Sequence, residues 1–172
     1  MNGLANLVIA VATAAAALVA IIALWHQISR SRYTLQIDLL LKREELFEGK
    51  WMRALRRKAA ESLLKRNAED KNRDEVLEFF ETLGYLTRRK ALDKEAVWIV
   101  FFYWLHRYMY AAKDYVKADQ KEDPTTWDNA VWLHSCLEAM EKRKRQCSHA
   151  QIALSEDDLG EFLKEESQLA GE

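Results

Sequence analysis

The chain has 172 residues, with 26 Lys and Arg against 27 Asp and Glu and a formal net charge of −1. Apolar residues make up 49% and charged residues 31%, which excludes a disordered chain. Five Gly and one Pro are too few for a β-sandwich, a barrel or a Gly-rich phosphate loop, and two Cys exclude a disulfide scaffold.

The first 25 residues carry no charge. Residues 4–25 are apolar except for Asn6 and Thr13. At ~1.5 Å per residue a helix over this run reaches about 33 Å, enough for a hydrocarbon core of about 30 Å. A helix satisfies its own backbone in lipid, and Trp25 falls where an interfacial aromatic belongs. A cleaved signal peptide is the rival reading. It needs a basic start and a shorter apolar run, and this chain has neither. The sequence therefore predicts a single transmembrane helix. Arg30 and Arg32 follow it directly, and no basic residue precedes it. The positive-inside rule then puts the remainder in the cytoplasm, beneath an inner membrane. There the thiols of Cys136 and Cys147 stay reduced.

Beyond residue 26 the apolar spacing is helical throughout. One helix is expected to continue from the span to Phe47, ended by Gly49 in a left-handed turn. A second covers about 50–66. A third runs over about 74–89, where Gly84 predicts a bend or a close helix contact. Asp93 caps a fourth over about 94–119, whose start at 97–105 is apolar all round and predicts a central, enclosed helix. That run is too short for a second span. Pro124 marks a boundary before a fifth helix over about 125–146. Ser155 and Asp158 have capping-box spacing for a short last helix near 156–166. The fold class is all-α: one transmembrane helix and a bundle of about five helices. The expected domains are an anchor over 1–26, a cytoplasmic bundle over 27–146 and a tail over 147–172.

The order of a single N-terminal span, the basic helix KWMRALRRKAA (50–60) and EVLEFFETLGYLTRRKALDKEAVWIVFFYW (75–104) resembles a bacterial, membrane-anchored helical family of unknown function, of the domain of unknown function 4760 type. The resemblance covers about residues 1–140 and implies a helical domain behind an anchor. It implies no activity and no functional residue.

Charge is unevenly spread. Residues 26–66 hold 11 Lys and Arg against 5 Asp and Glu, whereas residues 67–172 hold 15 against 22. Arg30 and Arg32 are expected to meet lipid headgroups. Arg53, Arg56, Arg57 and Lys58 are expected on a solvated face that an acidic protein partner can dock against. Nucleic acid fits poorly, because the body is near neutral and has no nucleic-acid motif. Ala12, Ala16 and Ala20 are four apart and predict a close helix contact between copies in lipid.

Candidate chemistry is sparse. His134, Cys136, Cys147 and His149 have zinc-ligand types, but residues two apart on a helix diverge, so no metal is predicted. His106 and Arg107 lie beside Tyr103 and Tyr110. A general base at His106 needs a second group, for which the sequence offers only scattered acids such as Asp114 and Glu81. Trp98, Trp104, Trp127 and Trp132, with Tyr103 and Tyr108, are expected to be packing residues. No cofactor or catalytic residue is predicted. The favoured function is a membrane-tethered binding or scaffold module. The alternative is a membrane-bound enzyme with a site near His106 and Arg107.

Overall fold

A computed structural model describes residues 2–65, 71–146 and 152–169; within the first helix, the side chains at 2, 4–12, 14 and 15 lie outside that description. The described residues are all-helical. The helices are α1 (Asn2–Glu48), α2 (Lys50–Leu64), α3 (Asp74–Arg88), α4 (Lys94–Ala111), α5 (Lys113–Glu122), α6 (Asp128–Arg145) and α7 (Glu156–Ser167), with a 3₁₀ turn at Lys71–Arg73. The chain divides into two compact units, Met1–Leu39 and Leu40–Glu172.

The first unit is helix alone. From Leu18 to Ile28 its large side chains are exposed: Leu18, Val19, Ile21, Ile22, Leu24, Trp25 and Ile28. Among the described residues no helix is long and apolar enough to cross a membrane. About half of the span expected over residues 4–25 falls on side chains outside the described ones.

The second unit is built round Phe47, which is 1% exposed. Its ring meets Phe79 at 4.9 Å, Trp104 at 5.4 Å, Phe101 at 5.7 Å and Phe80 at 5.9 Å. Aromatic pairs at these separations add to the apolar area they remove from water. The core continues through Val76, Leu77 and Leu83 of α3, Val97 and Leu105 of α4, and Leu133 and Leu137 of α6. The most extensive packing joins α3 to α6 and α2 to α7.

Gly84 explains the first of these contacts. A Cβ built on it would stand 2.2 Å from the Asn129 carbonyl oxygen, so only glycine lets α3 and α6 approach this closely. The contact expected at this position is therefore present. Glu81, one turn earlier, accepts from the backbone N–H of Asn129 at 3.2 Å and of Ala130 at 2.8 Å. It caps α6 from another helix, because Trp127 at the α6 start offers no side-chain acceptor.

Other local expectations divide. Asp93 does cap α4, taking the Ala96 N–H at 2.9 Å. Ser155 and Asp158 form the complete reciprocal box at the start of α7. Gly49 does not turn left-handed. Its φ is −65° and ψ 149°, and the carbonyl oxygens of Leu46 and Glu45 lie 3.2 and 3.3 Å from a built Cβ. Space, and not handedness, selects glycine there. The helix expected over 94–119 is two helices, separated at the buried Ala112. The helix expected from 125 begins at Asp128, after Trp127 has taken a left-handed φ of 60°. Nor is α4 enclosed on every side: Ile99 and Tyr103 are exposed. The four tryptophans expected as packing, Trp98, Trp104, Trp127 and Trp132, are half-buried. Trp98 donates its N–H to Glu141 and Trp127 to Asp119.

Candidate functional site

Two buried polar constellations stand out in the second unit. The first belongs to Arg56, expected on a solvated face with Arg53, Arg57 and Lys58. Arg56 is only 2% exposed. On α2 it follows Met52 by four residues and precedes Ala59 and Ala60 by three and four, so it shares their inward face. Its Nε and Nη2 donate to Glu166 of α7 at 2.8 and 2.6 Å, and its Nη1 donates to the Phe47 carbonyl at 3.2 Å. Tyr108 of α4 donates its hydroxyl to the same carboxylate at 2.7 Å. The guanidinium lies 4.2 Å above the Phe47 ring. Burial lowers the Arg56 pKa, but the Glu166 hydrogen bonds and charge outweigh it, so the net movement is upward. Burial first, then Glu166, pushes the Tyr108 hydroxyl well above its usual range. Every strong donor is paired within the fold, so this cluster holds helices together and offers no reactive group. Of the remaining basic residues, Lys58 is exposed, Arg57 is half-buried, and Arg53 pairs with Glu48 at 3.1 Å.

The second constellation joins His106 of α4 to His134 of α6. His106 Nδ1 and His134 Nε2 are 2.9 Å apart, and His106 Nε2 is 3.0 Å from the Ile152 carbonyl oxygen. A carbonyl only accepts, so His106 carries its proton on Nε2 and its Nδ1 accepts from His134 Nε2–H. Phe102 stacks on His106 with centroids 4.9 Å apart, and Tyr110 tilts against it at 4.8 Å. Burial, and then the neighbouring His106, lowers the His134 pKa to about 4. Burial also lowers that of His106, against the Ile152 carbonyl, which raises it. Both rings are neutral at pH 7.

His134 lines a cleft of about 280 Å³ with Met109, Tyr110, Val116 and Val131, and Lys113 and Lys117 at its rim. Tyr110 also borders a larger cleft of about 580 Å³, where Arg73, Asp114 and Glu156 are the charged groups. Arg73 lies 3.8 Å above the Tyr115 ring, whose hydroxyl donates to Asp74 at 2.7 Å. Both clefts are concave surfaces open to a small ligand.

His106 and Arg107 do not converge. Both His106 nitrogens are engaged inside the fold, while Arg107 lies 3.7 Å above the Tyr103 ring and donates to the Tyr103 carbonyl. Of the scattered acids, Glu81 caps α6 and Asp114 borders the larger cleft. Among the described residues no group of three or more His, Cys, Asp or Glu is placed to hold a metal. Cys147 and His149 lie outside the described residues, and Cys136 is a half-buried free thiol. Arg30 and Arg32 are exposed on α1, as are Ala16 and Ala20; the side chain of Ala12 lies outside the described ones.

Sequence reading found His106 and His134 separately but not as a pair, because they are 28 residues apart on different helices. It missed Glu166 altogether. For Arg56 a signal was present in its spacing from Met52 and Ala59.

The described residues are all-helical, and buried ion pairs such as Arg56–Glu166 tie the helices together. The family model described as Domain of unknown function (DUF4760) matches residues 10–135, and the chain belongs to that family. The match stops before α7, so Glu166 lies outside it. No curated protein and no solved structure matches the chain.

Proposed function

We propose that the chain is a membrane-tethered binding module: α1 begins in the bilayer, and the helical body presents its surface to a partner on the cytoplasmic side of a bacterial inner membrane. One observation carries the reading. Leu18, Val19, Ile21, Ile22, Leu24 and Trp25 are each at least 58% exposed, and exposed Ala20 and Ala23 fill the one sector they leave, so the helix is apolar all round. A helix in water keeps a polar face, and this stretch has none. Together with the uncharged, apolar sequence over residues 4–25, that exposure fits lipid as the surrounding medium. Arg30 and Arg32 lie one to two turns further on, within reach of anionic headgroups. Confinement raises the effective concentration of a weak partner, so modest contacts suffice. The exposed or part-exposed bases Arg53, Arg57 and Lys58 suit an acidic protein surface, with Arg56 serving as their buried support.

The test is fractionation of membranes that carry the full-length chain. Retention after an alkaline carbonate wash is expected, and release into the soluble fraction overturns the tether. Protease added outside spheroplasts should leave the helical body intact. Its digestion there reverses the orientation.

A further inference from the structure

The two clefts of the second unit differ in charge. The larger sets Arg73 against Asp114 and Glu156. The smaller has two lysines at its rim and no acid in its wall. Lys113 and Lys117 stand one turn apart on α5, both exposed, and neither has an ion pair among the described residues. Of the acids on α5, Asp114 borders the larger cleft and Asp119 accepts from the Trp127 N–H at 2.8 Å. Glu138, one turn beyond His134 on α6, pairs with Lys142 at 3.5 Å and takes no part in the wall.

Below the lysines the wall is apolar. Met109 and Val116 are 7% and 4% exposed, and Val131 joins them from α6. Tyr110 and His134 form a corner, with ring centroids 5.8 Å apart and planes at 82°. Such a corner suits a third flat ring, stacked on one face and edge-on to the other. At about 280 Å³ the cleft falls just below the range of drug-sized pockets, which begins at ~300 Å³, so it admits one ring with short substituents.

The histidine relay decides what polar group such a ring must carry. The Ile152 carbonyl takes the Nε2 proton of His106 at 3.0 Å, so His106 Nδ1 accepts from His134 Nε2–H at 2.9 Å. A neutral His134 has no second proton, and its Nδ1 is left with a lone pair. That nitrogen has no partner among the described residues and is not sealed from the cleft. It takes a hydrogen bond from an O–H or N–H and repels an anion. The lysine rim has the opposite preference.

We propose that the smaller cleft binds a hydroxyaryl acid. The ring lies against Tyr110, Val116 and Val131, its hydroxyl donates to His134 Nδ1, and its anionic group meets Lys113 and Lys117. The site uses neither the membrane tether nor the basic face of α2.

The experiment is equilibrium dialysis of the full chain in mild detergent at about pH 7, with detergent alone as the blank. The probes are para-hydroxyphenylacetate, phenylacetate, which lacks the hydroxyl, and tyramine, which carries an ammonium in place of the carboxylate. Saturable binding of para-hydroxyphenylacetate is expected, with phenylacetate about three- to tenfold weaker for the lost hydrogen bond and tyramine not bound. Lys113→Glu with Lys117→Glu, two changes at exposed positions, should abolish binding. Lys94→Glu, at the far end of α4, should leave it unchanged. The ring-proton resonances of His134 should shift as para-hydroxyphenylacetate saturates. Absence of saturable binding, equal binding of the three probes, phenylacetate as tight as the hydroxy acid, or binding that survives the double lysine change each overturns the proposal. Saturation with the His134 resonances unmoved places the ligand elsewhere and overturns it too.

Discussion

Arg56 and Glu166 are 110 residues apart in the chain and meet through two buried hydrogen bonds, 2.8 and 2.6 Å long. A forked pair of this kind cannot be halved cheaply. Glu166→Ala leaves a guanidinium buried without its counter-charge, which destabilises by ~3–5 kcal/mol. Arg56→Lys also falls short, because an ammonium cannot reproduce the two-point geometry. Replacing both partners together, Arg56→Met with Glu166→Leu, should recover most of the loss, although Tyr108 then lacks its acceptor. Chemical denaturation of the four proteins in mild detergent checks the order.

The histidine pair sets a direction for pH. Both rings are neutral when folded, with pKa values lowered by burial, that of His134 to about 4. In the unfolded chain each takes up a proton below about pH 6.5. Their contribution to stability is therefore complete above pH 6.5 and falls as pH drops through the window down to about 4. For His134 the full window is worth on the order of 3 kcal/mol. The charged groups round the pair are Glu138, Glu141, Lys142 and Arg107. His134→Gln keeps a donor for His106 and removes one titration. Its denaturation midpoints at about pH 7 and about pH 5 should differ less than those of the native chain; an equal difference contradicts this account.

Two glycines should respond in opposite senses. Gly84→Ala drives a Cβ to within 2.2 Å of backbone at Asn129. It forces α3 and α6 apart and destabilises by ~1–3 kcal/mol or more. Gly160, inside α7, has nothing within 4 Å of a built Cβ. Gly160→Ala should stabilise by about 0.5–1 kcal/mol through lower backbone entropy in the unfolded chain. Thermal melts of the two variants side by side test both signs.

Glu81 is a cap supplied by a neighbouring helix. Glu81→Ala leaves the Asn129 and Ala130 N–H groups without their acceptor and should lose about 1–2 kcal/mol. Glu81→Gln keeps an oxygen acceptor and should lose less. Amide exchange at Ala130 reports the site directly, with faster exchange expected in the alanine variant.

What could be read in the sequence was local. The Asp93 cap, the Ser155 box and the close approach at Gly84 each follow from a residue and its near neighbours. The unreadable parts were relations across the chain. Arg56 sits in a run of bases, so composition suggested a solvated face, while its spacing from Met52 and Ala59 pointed inward. No local signal names Glu166 as its partner. His106 and His134 likewise carry no mark of each other. The Ala112 break has no Pro or Gly to announce it, and Gly49 signals a turn without stating which kind.

The long reach from Arg56 to Glu166 has a consequence for biogenesis. Ribosomes add about 5–20 residues per second, so these 110 residues leave roughly 5–20 s between the two side chains. Throughout that interval the nascent chain has made its cation but not the carboxylate that closes over it. The body stays unlocked over that interval, and its consolidation waits on α7.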